Sequence, residues 1–194
     1  MRPQQQSLPE YSTQLTGQVV VLEATAGSAR TALLQDWLDA AGKRGAKIDL
    51  LSCNFEKNGI WAGLRELLLP MIPRLQRDAP QLIEKHSYEL ATILPELRRT
   101  ITVRNASLTD TSPDHEKVRN FPIDRAYRIA HGVIDLLDAC RNLSVNVPWV
   151  IACDDYHRAG ALVRRFFTEL MRRRGRQLNL TLLVAVSPGT GPEV

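Results

Sequence analysis

Only three cysteines occur in the chain, Cys53, Cys140 and Cys153. They lie far apart, form no CxxC pair and show no metal-ligand spacing, which argues against a disulfide scaffold and against a structural zinc site. The pattern implies a reducing, cytoplasmic compartment in which the thiols serve as small core residues. The four histidines, His86, His115, His131 and His157, are equally scattered and make no His-x-x-x-His pair. Aromatic residues are sparse at 6%, and the arginine-rich stretch lacks the interleaved exposed rings on which single-strand binders stack bases. No apolar run approaches the roughly 18 residues of a membrane-crossing helix, and the polar N-terminus has no secretory apolar stretch. Repeats and low-complexity tracts are missing as well.

What remains is 194 residues, 44% of them apolar, enough for one domain with a sizeable core. The net charge is +4, and much of the excess sits in one segment with Arg164, Arg165, Arg172, Arg173, Arg174 and Arg176. A solvated helix face is the simple reading of that cluster; binding to nucleic acid, phosphate or an acidic partner is the alternative.

Apolar periodicity divides the chain. Residues 1–16 are polar and read as a loose tail. Strands are expected at 18–23, 46–53, 148–155 and 178–186, each a short, nearly continuous apolar run of the kind buried on both faces of a parallel sheet. Helices are expected at 30–43, at 61–75 with breaks at Pro70 and Pro73, at 82–103 with a break at Pro95, at 123–143 and at 161–174. Residues 104–121 read as a polar, exposed loop. Strand, helix, strand, helical insert, strand, helix, strand predicts a three-layer α/β fold with a parallel sheet and a helical insert between strands two and three.

Two segments carry chemistry. Between the first strand and first helix stands Ala24-Thr-Ala-Gly-Ser-Ala-Arg-Thr31, aligned position for position with the phosphate loop Gly-x-x-x-x-Gly-Lys-Thr. Such a loop converges backbone N–H groups on phosphate at a helix N-terminus, reaches the outer phosphates with lysine and binds Mg²⁺ through Ser or Thr. The spacing nominates Ala26, Gly27, Ser28, Ala29, Arg30 and Thr31 for nucleotide, with Thr31 also at the metal. Ala24 and Ala29 replace the two motif glycines, and a Cβ at a positive-φ site costs on the order of 1–2 kcal/mol. Arg30 replaces the lysine with a larger planar fork that is not an equivalent phosphate ligand. A strand-to-helix turn of small residues is the plain alternative. Second, the strand ending Val150-Ile-Ala-Cys-Asp-Asp155 runs into two carboxylates, at the strand end where α/β proteins place their ligands. Asp154 suits a metal-holding acid and Asp155 one acting on attacking water.

The run Asp154-Asp155-Tyr-His-Arg-Ala159 resembles the Asp-Asp-Leu-His-Trp-Ala-Asp signature of STAND/AAA-type P-loop ATPases, found in large bacterial transcriptional regulators and cyclase-linked ATPase domains. His157 and Ala159 match; Arg158 and Gly160 depart. Ile60-Trp-Ala-Gly-Leu-Arg-Glu-Leu-Leu69 is similar to the family's segment after the second strand, residues 125–140 and Pro148 to its helix before the acidic strand, and Leu180–Ser187 to its sensor strand, which usually ends in a polar or basic residue. The likeness covers roughly residues 17–188. It implies ATP or ADP and Mg²⁺ as cofactors, and a sheet in which the first strand lies between the sensor strand and a fifth strand. The family's opening Gly-Arg-x-x-Glu segment, its fifth strand and its helical lid have no counterpart here. The resemblance therefore implies a degenerate nucleotide-binding regulatory domain with weak or no hydrolysis, whose first strand is left at an edge open to a protein partner or self-association. A non-catalytic interaction scaffold is the rival reading, and nucleic-acid binding through Arg164–Arg176 a second.

Overall fold

The computed structural model describes residues 9–25, 27–104, 122–143 and 147–191. It divides into two units, one formed by residues 1–66 and 145–194 and the other by residues 67–144.

The first unit is an α/β layer built on four strands, β1 (Val19–Glu23), β2 (Lys47–Ser52), β3 (Trp149–Asp154) and β4 (Leu180–Val186). All pair in parallel, in the order β1-β4-β3-β2. All seven residues of β4 and the first five of β3 are buried, the signature of central parallel strands covered on both faces. Strand alternation puts Val20, Leu22, Val150, Ala152, Leu183 and Ala185 on one face. There they pack with Leu34, Trp37, Leu38 and Ala41 of α1 (Ser28–Lys43). The residues between them, Ile151, Cys153, Leu182 and Val184, point to the other face and are equally buried. Helix α8 (Ala161–Arg174) follows β3 and lies against β4. A two-sided parallel sheet of this kind is compatible with a three-layer arrangement. The four expected strands and the helices at 30–43 and 161–174 thus appear within about two residues of where periodicity placed them.

Edge strand β1 differs from its neighbours. Val19 and Val21, on the face away from α1, are 36% and 38% exposed.

The N-terminal stretch departs from expectation. From Pro9 onward it is not loose. Tyr11 is buried and meets Trp37 edge-on, with ring centroids 5.3 Å apart. Trp37 Nε1 donates to the Pro9 carbonyl at 2.7 Å, and Arg44 donates to the Tyr11 carbonyl and to Glu10. The contact is invisible in the sequence because a single aromatic in a polar stretch carries no period.

Helix α2 (Phe55–Asn58) follows β2, and α3 (Leu64–Leu68) leads into the second unit. That unit is helical: α4 (Ile72–Asp78), α5 (Pro80–Lys85), α6 (Ser87–Ile93) and the long α7 (Pro122–Asn142). The prolines act as expected. Pro70 lies in a 3-10 turn over residues 69–71, Pro73 opens α4, and Pro95 opens a second 3-10 turn over residues 95–99. Gly132 allows α6 and α7 to approach closely, because a Cβ there would stand 2.4 Å from Glu89 Oε1. The expected loop at 104–121 lies, beyond Arg104, outside the described residues. No helix among the described residues is long and apolar enough to cross a membrane.

Candidate functional site

Sheet topology brings the two nominated segments to the same end of the first unit. Strand β1 ends at Glu23 and β3 at Asp154, with only β4 between them. Both strands run the same way, so their following loops share the C-terminal mouth of the sheet, where α/β proteins place ligands.

Helix α1 begins behind Gly27, its N-cap, at φ 140° and ψ −174°. Only glycine adopts that backbone without strain, and the space around a Cβ there is open, so the requirement is conformational. The Gly27 carbonyl accepts from the Arg30 and Thr31 N–H groups at 3.2 and 3.3 Å, which closes the first turn. Ala29 lies in that turn. Neither Ala24 nor Ala29 is among the residues with positive φ, so the strain expected of alanine at the motif's glycine positions does not arise. Ala26 and the Ser28 side chain lie outside the described residues. Thr31 is exposed on the first turn.

Arg30 makes the contact between the loops. Its side chain is 4% exposed, and Nη2 reaches Asp154 Oδ1 at 2.9 Å and Asp155 Oδ1 at 2.5 Å. Both carboxylates are about three-quarters buried, at 27% and 25% exposed. One guanidinium nitrogen therefore serves two acids, while Nε and Nη1 of the same group are buried without a hydrogen-bond partner among the described residues. Burial alone would raise the Asp155 carboxyl, but the hydrogen bond and charge of Arg30 outweigh it, with Asn54 adding to the effect. The net result is a carboxylate held below its ordinary range.

Asp155 is also a backbone outlier. It sits in the left-handed region at φ 52°, ψ 32°, a conformation that aspartate tolerates better than most residues. The Asp154 side chain accepts from the Asp155 N–H at 2.8 Å and supports the bend. The 3-10 turn Tyr156–Arg158 follows. Arg164, from the arginine cluster, fastens this turn by donating to the carbonyls of His157 at 2.8 Å and Ala159 at 3.0 Å. Arg172 pairs with Glu169 at 2.6 Å, so two members of the cluster are occupied within their own helix region. His157 Nε2 lies 3.2 Å from Ser187 Oγ, just past β4. Burial lowers the His157 pKa, and the Arg30 charge lowers it further, which favours the neutral ring.

Two differences from the acidic signature, at Tyr156 and Gly160, have local reasons. Tyr156, in place of leucine, is a buried core residue, edge-on to Phe167. Gly160, in place of aspartate, lies under the Phe55 ring, which a Cβ would approach to 3.0 Å. Cys53, the residue after β2, and Cys153 on the neighbouring strand β3 are both buried. Burial, with Cys53 beside it, pushes the Cys153 thiol well up, consistent with core packing.

The structure thus brings together Gly27, Arg30, Asp154 and Asp155, and adds Asn54, His157, Arg164 and Ser187. The Asn54 signal was its place at the end of β2, and the Ser187 signal its place at the end of β4; nothing in the sequence marked Arg164 off from its neighbours. The site does not fit a Mg²⁺ ion as the resemblance implied. One oxygen of each acid is held by Arg30, and the exposed Thr31 is not what reaches the acids. Among the described residues, no group of three or more His, Cys, Asp and Glu could hold a metal. Comparison with protein-family models, with curated proteins and with solved structures finds no match to this chain.

Proposed function

We propose that the chain is a degenerate nucleotide-binding regulatory domain of the P-loop, STAND/AAA-like kind, which takes ATP or ADP weakly and hydrolyses it negligibly. The observation that carries this reading is the Arg30 bridge. It joins the start of a 16-residue helix behind a glycine N-cap to two acids at the end of a buried parallel strand. Phosphate is favoured at such a helix start by free N–H groups and the helix dipole. Hydrolysis is disfavoured because Asp155, the residue placed to act on water, is neutralised by Arg30.

Restoring the motif tests the reading. Ala29→Gly with Arg30→Lys should tighten ATP binding, since lysine is the phosphate ligand of such loops and a compact ammonium bridges two carboxylates less well. Unchanged affinity in a folded double variant would favour the interaction scaffold.

That second reading has its own observation, the open edge of β1 with Val19 and Val21 each more than a third exposed. The strand carries no proline or lysine to discourage pairing, and an edge of this kind admits a further strand. Light scattering across a concentration series tests it: concentration-dependent self-association supports the scaffold, and a monomer at all concentrations removes self-association through this edge.

A further inference from the structure

Arg30 stands where a phosphate-binding loop would put a ligand for the nucleotide, yet it is turned onto the acids that would hold the metal. It is more than nine-tenths buried, with two of its three nitrogens unpaired among the described residues. A side chain built only to interact with phosphate would leave Asp154 and Asp155 facing each other as like charges.

We infer that Arg30 replaces the divalent cation of this site, so that a nucleotide's polyphosphate binds here free of metal, and that removing Arg30 uncovers a divalent-cation site on Asp154 and Asp155. Three features carry this. The guanidinium nitrogen already contacts both carboxylates, at 2.9 and 2.5 Å, so a cation must displace it from both. Mg²⁺ demands near-ideal octahedral oxygen geometry and keeps several waters, whereas here a buried, positively charged fork fills the space beside the acids. The displaced guanidinium would have to leave a position where its side chain is only 4% exposed. For an anion the effect is reversed: with Arg30 in place the acid pair presents one net negative charge instead of two, beside the electropositive start of α1.

The nucleotide part of this inference rests on the reading proposed above; the cation part does not. Mn²⁺ alone, followed by electron paramagnetic resonance, tests the latter. The wild-type chain should leave the free-ion signal unchanged. Arg30→Gln should take up one ion per chain, and Arg30→Gln/Asp154→Asn should lose it. Wild-type uptake that Asp154→Asn abolishes would overturn the inference, as would a folded Arg30→Gln variant that holds no ion. If Arg30→Gln does not fold by circular dichroism, wild type against Asp154→Asn decides alone. For the nucleotide, wild-type ATP affinity in excess EDTA should equal or exceed that in Mg²⁺; a tenfold gain on adding Mg²⁺ would overturn the metal-free site. Failure of ATP to bind in either buffer would refute the proposed function, leaving the cation arms to judge Arg30.

Discussion

Asp155 in the first unit and Glu89 in the second are both carboxylates withdrawn from water, and their pKa values move in opposite directions. At Glu89 burial prevails and the pKa rises; its own backbone hydrogen bond and the more distant charge of Arg128 only moderate the shift. At Asp155 burial pushes the same way but is overcome by Arg30 in direct contact. The difference teaches that enclosure alone does not set the state of an acid here. A cation at hydrogen-bond distance keeps Asp155 ionised. Glu89 lies against Gly132 on the neighbouring helix, where the balance disfavours the anion.

The largest effect should come from stripping Arg30 of its partners. Asp154→Ala/Asp155→Ala leaves a nearly enclosed guanidinium without a counter-charge and should cost about 3–5 kcal/mol in urea unfolding. Arg30→Met leaves two acids that water can still reach, at 27% and 25% exposure, and should cost less, about 1–3 kcal/mol. Equal losses would mean the cation is no more committed to this site than the acids are.

Next in size is the turn that aims α1. Gly27→Ala meets no neighbouring atom, so its cost is purely the backbone strain of φ 140°, about 1–3 kcal/mol. A neutral outcome would show that the turn relaxes freely, and would weaken the case for a preformed loop.

The smallest effect sharpens the comparison of the two acids directly. The raised pKa of Glu89 makes its contribution most favourable below the ordinary glutamate range and erodes it as pH rises through the folded value. Glu89→Gln should therefore raise stability at neutral pH, by less than about 1 kcal/mol. The lowered pKa of Asp155 works in the other sense: its contribution is present above the ordinary aspartate range and is lost as pH falls through the folded value. Asp155→Asn should destabilise at neutral pH and converge with wild type in acid. Denaturant midpoints across an acid-to-neutral series measure both, and the same sign for both substitutions would break the comparison.

Much of the fold was legible because its central strands are apolar on both faces, so no alternation of apolar and polar residues was needed to find them. Leu180 to Val186 and Trp149 to Cys153 read as nearly unbroken apolar runs and are buried as such. The prolines at 70, 73 and 95 marked helix breaks because a missing N–H and a fixed φ act locally. The site was legible only in part. The spacing of Gly27 and the acid pair pointed to one mouth of the sheet, but exchanging lysine for arginine at position 30 conserves charge, and sequence carries no record of which way a long side chain turns. The cost expected at Ala24 and Ala29 presupposed the backbone of an intact loop, while here the positive φ falls at Gly27 and Asp155. Tyr11 escaped notice and Arg164 was read only as one of a basic cluster, for a shared reason: each acts through a contact that no local pattern marks, one with Trp37 and the other with the turn after Asp155.

The central claim is that this site takes nucleotide without turning it over, and one calorimetric experiment on the wild-type chain addresses it most directly. ATP titrated into the protein should give a saturable binding heat, followed by a flat baseline. No saturable heat would contradict the claim, and so would a continuing heat of hydrolysis corresponding to a typical enzymatic turnover of about 1 s⁻¹ or more.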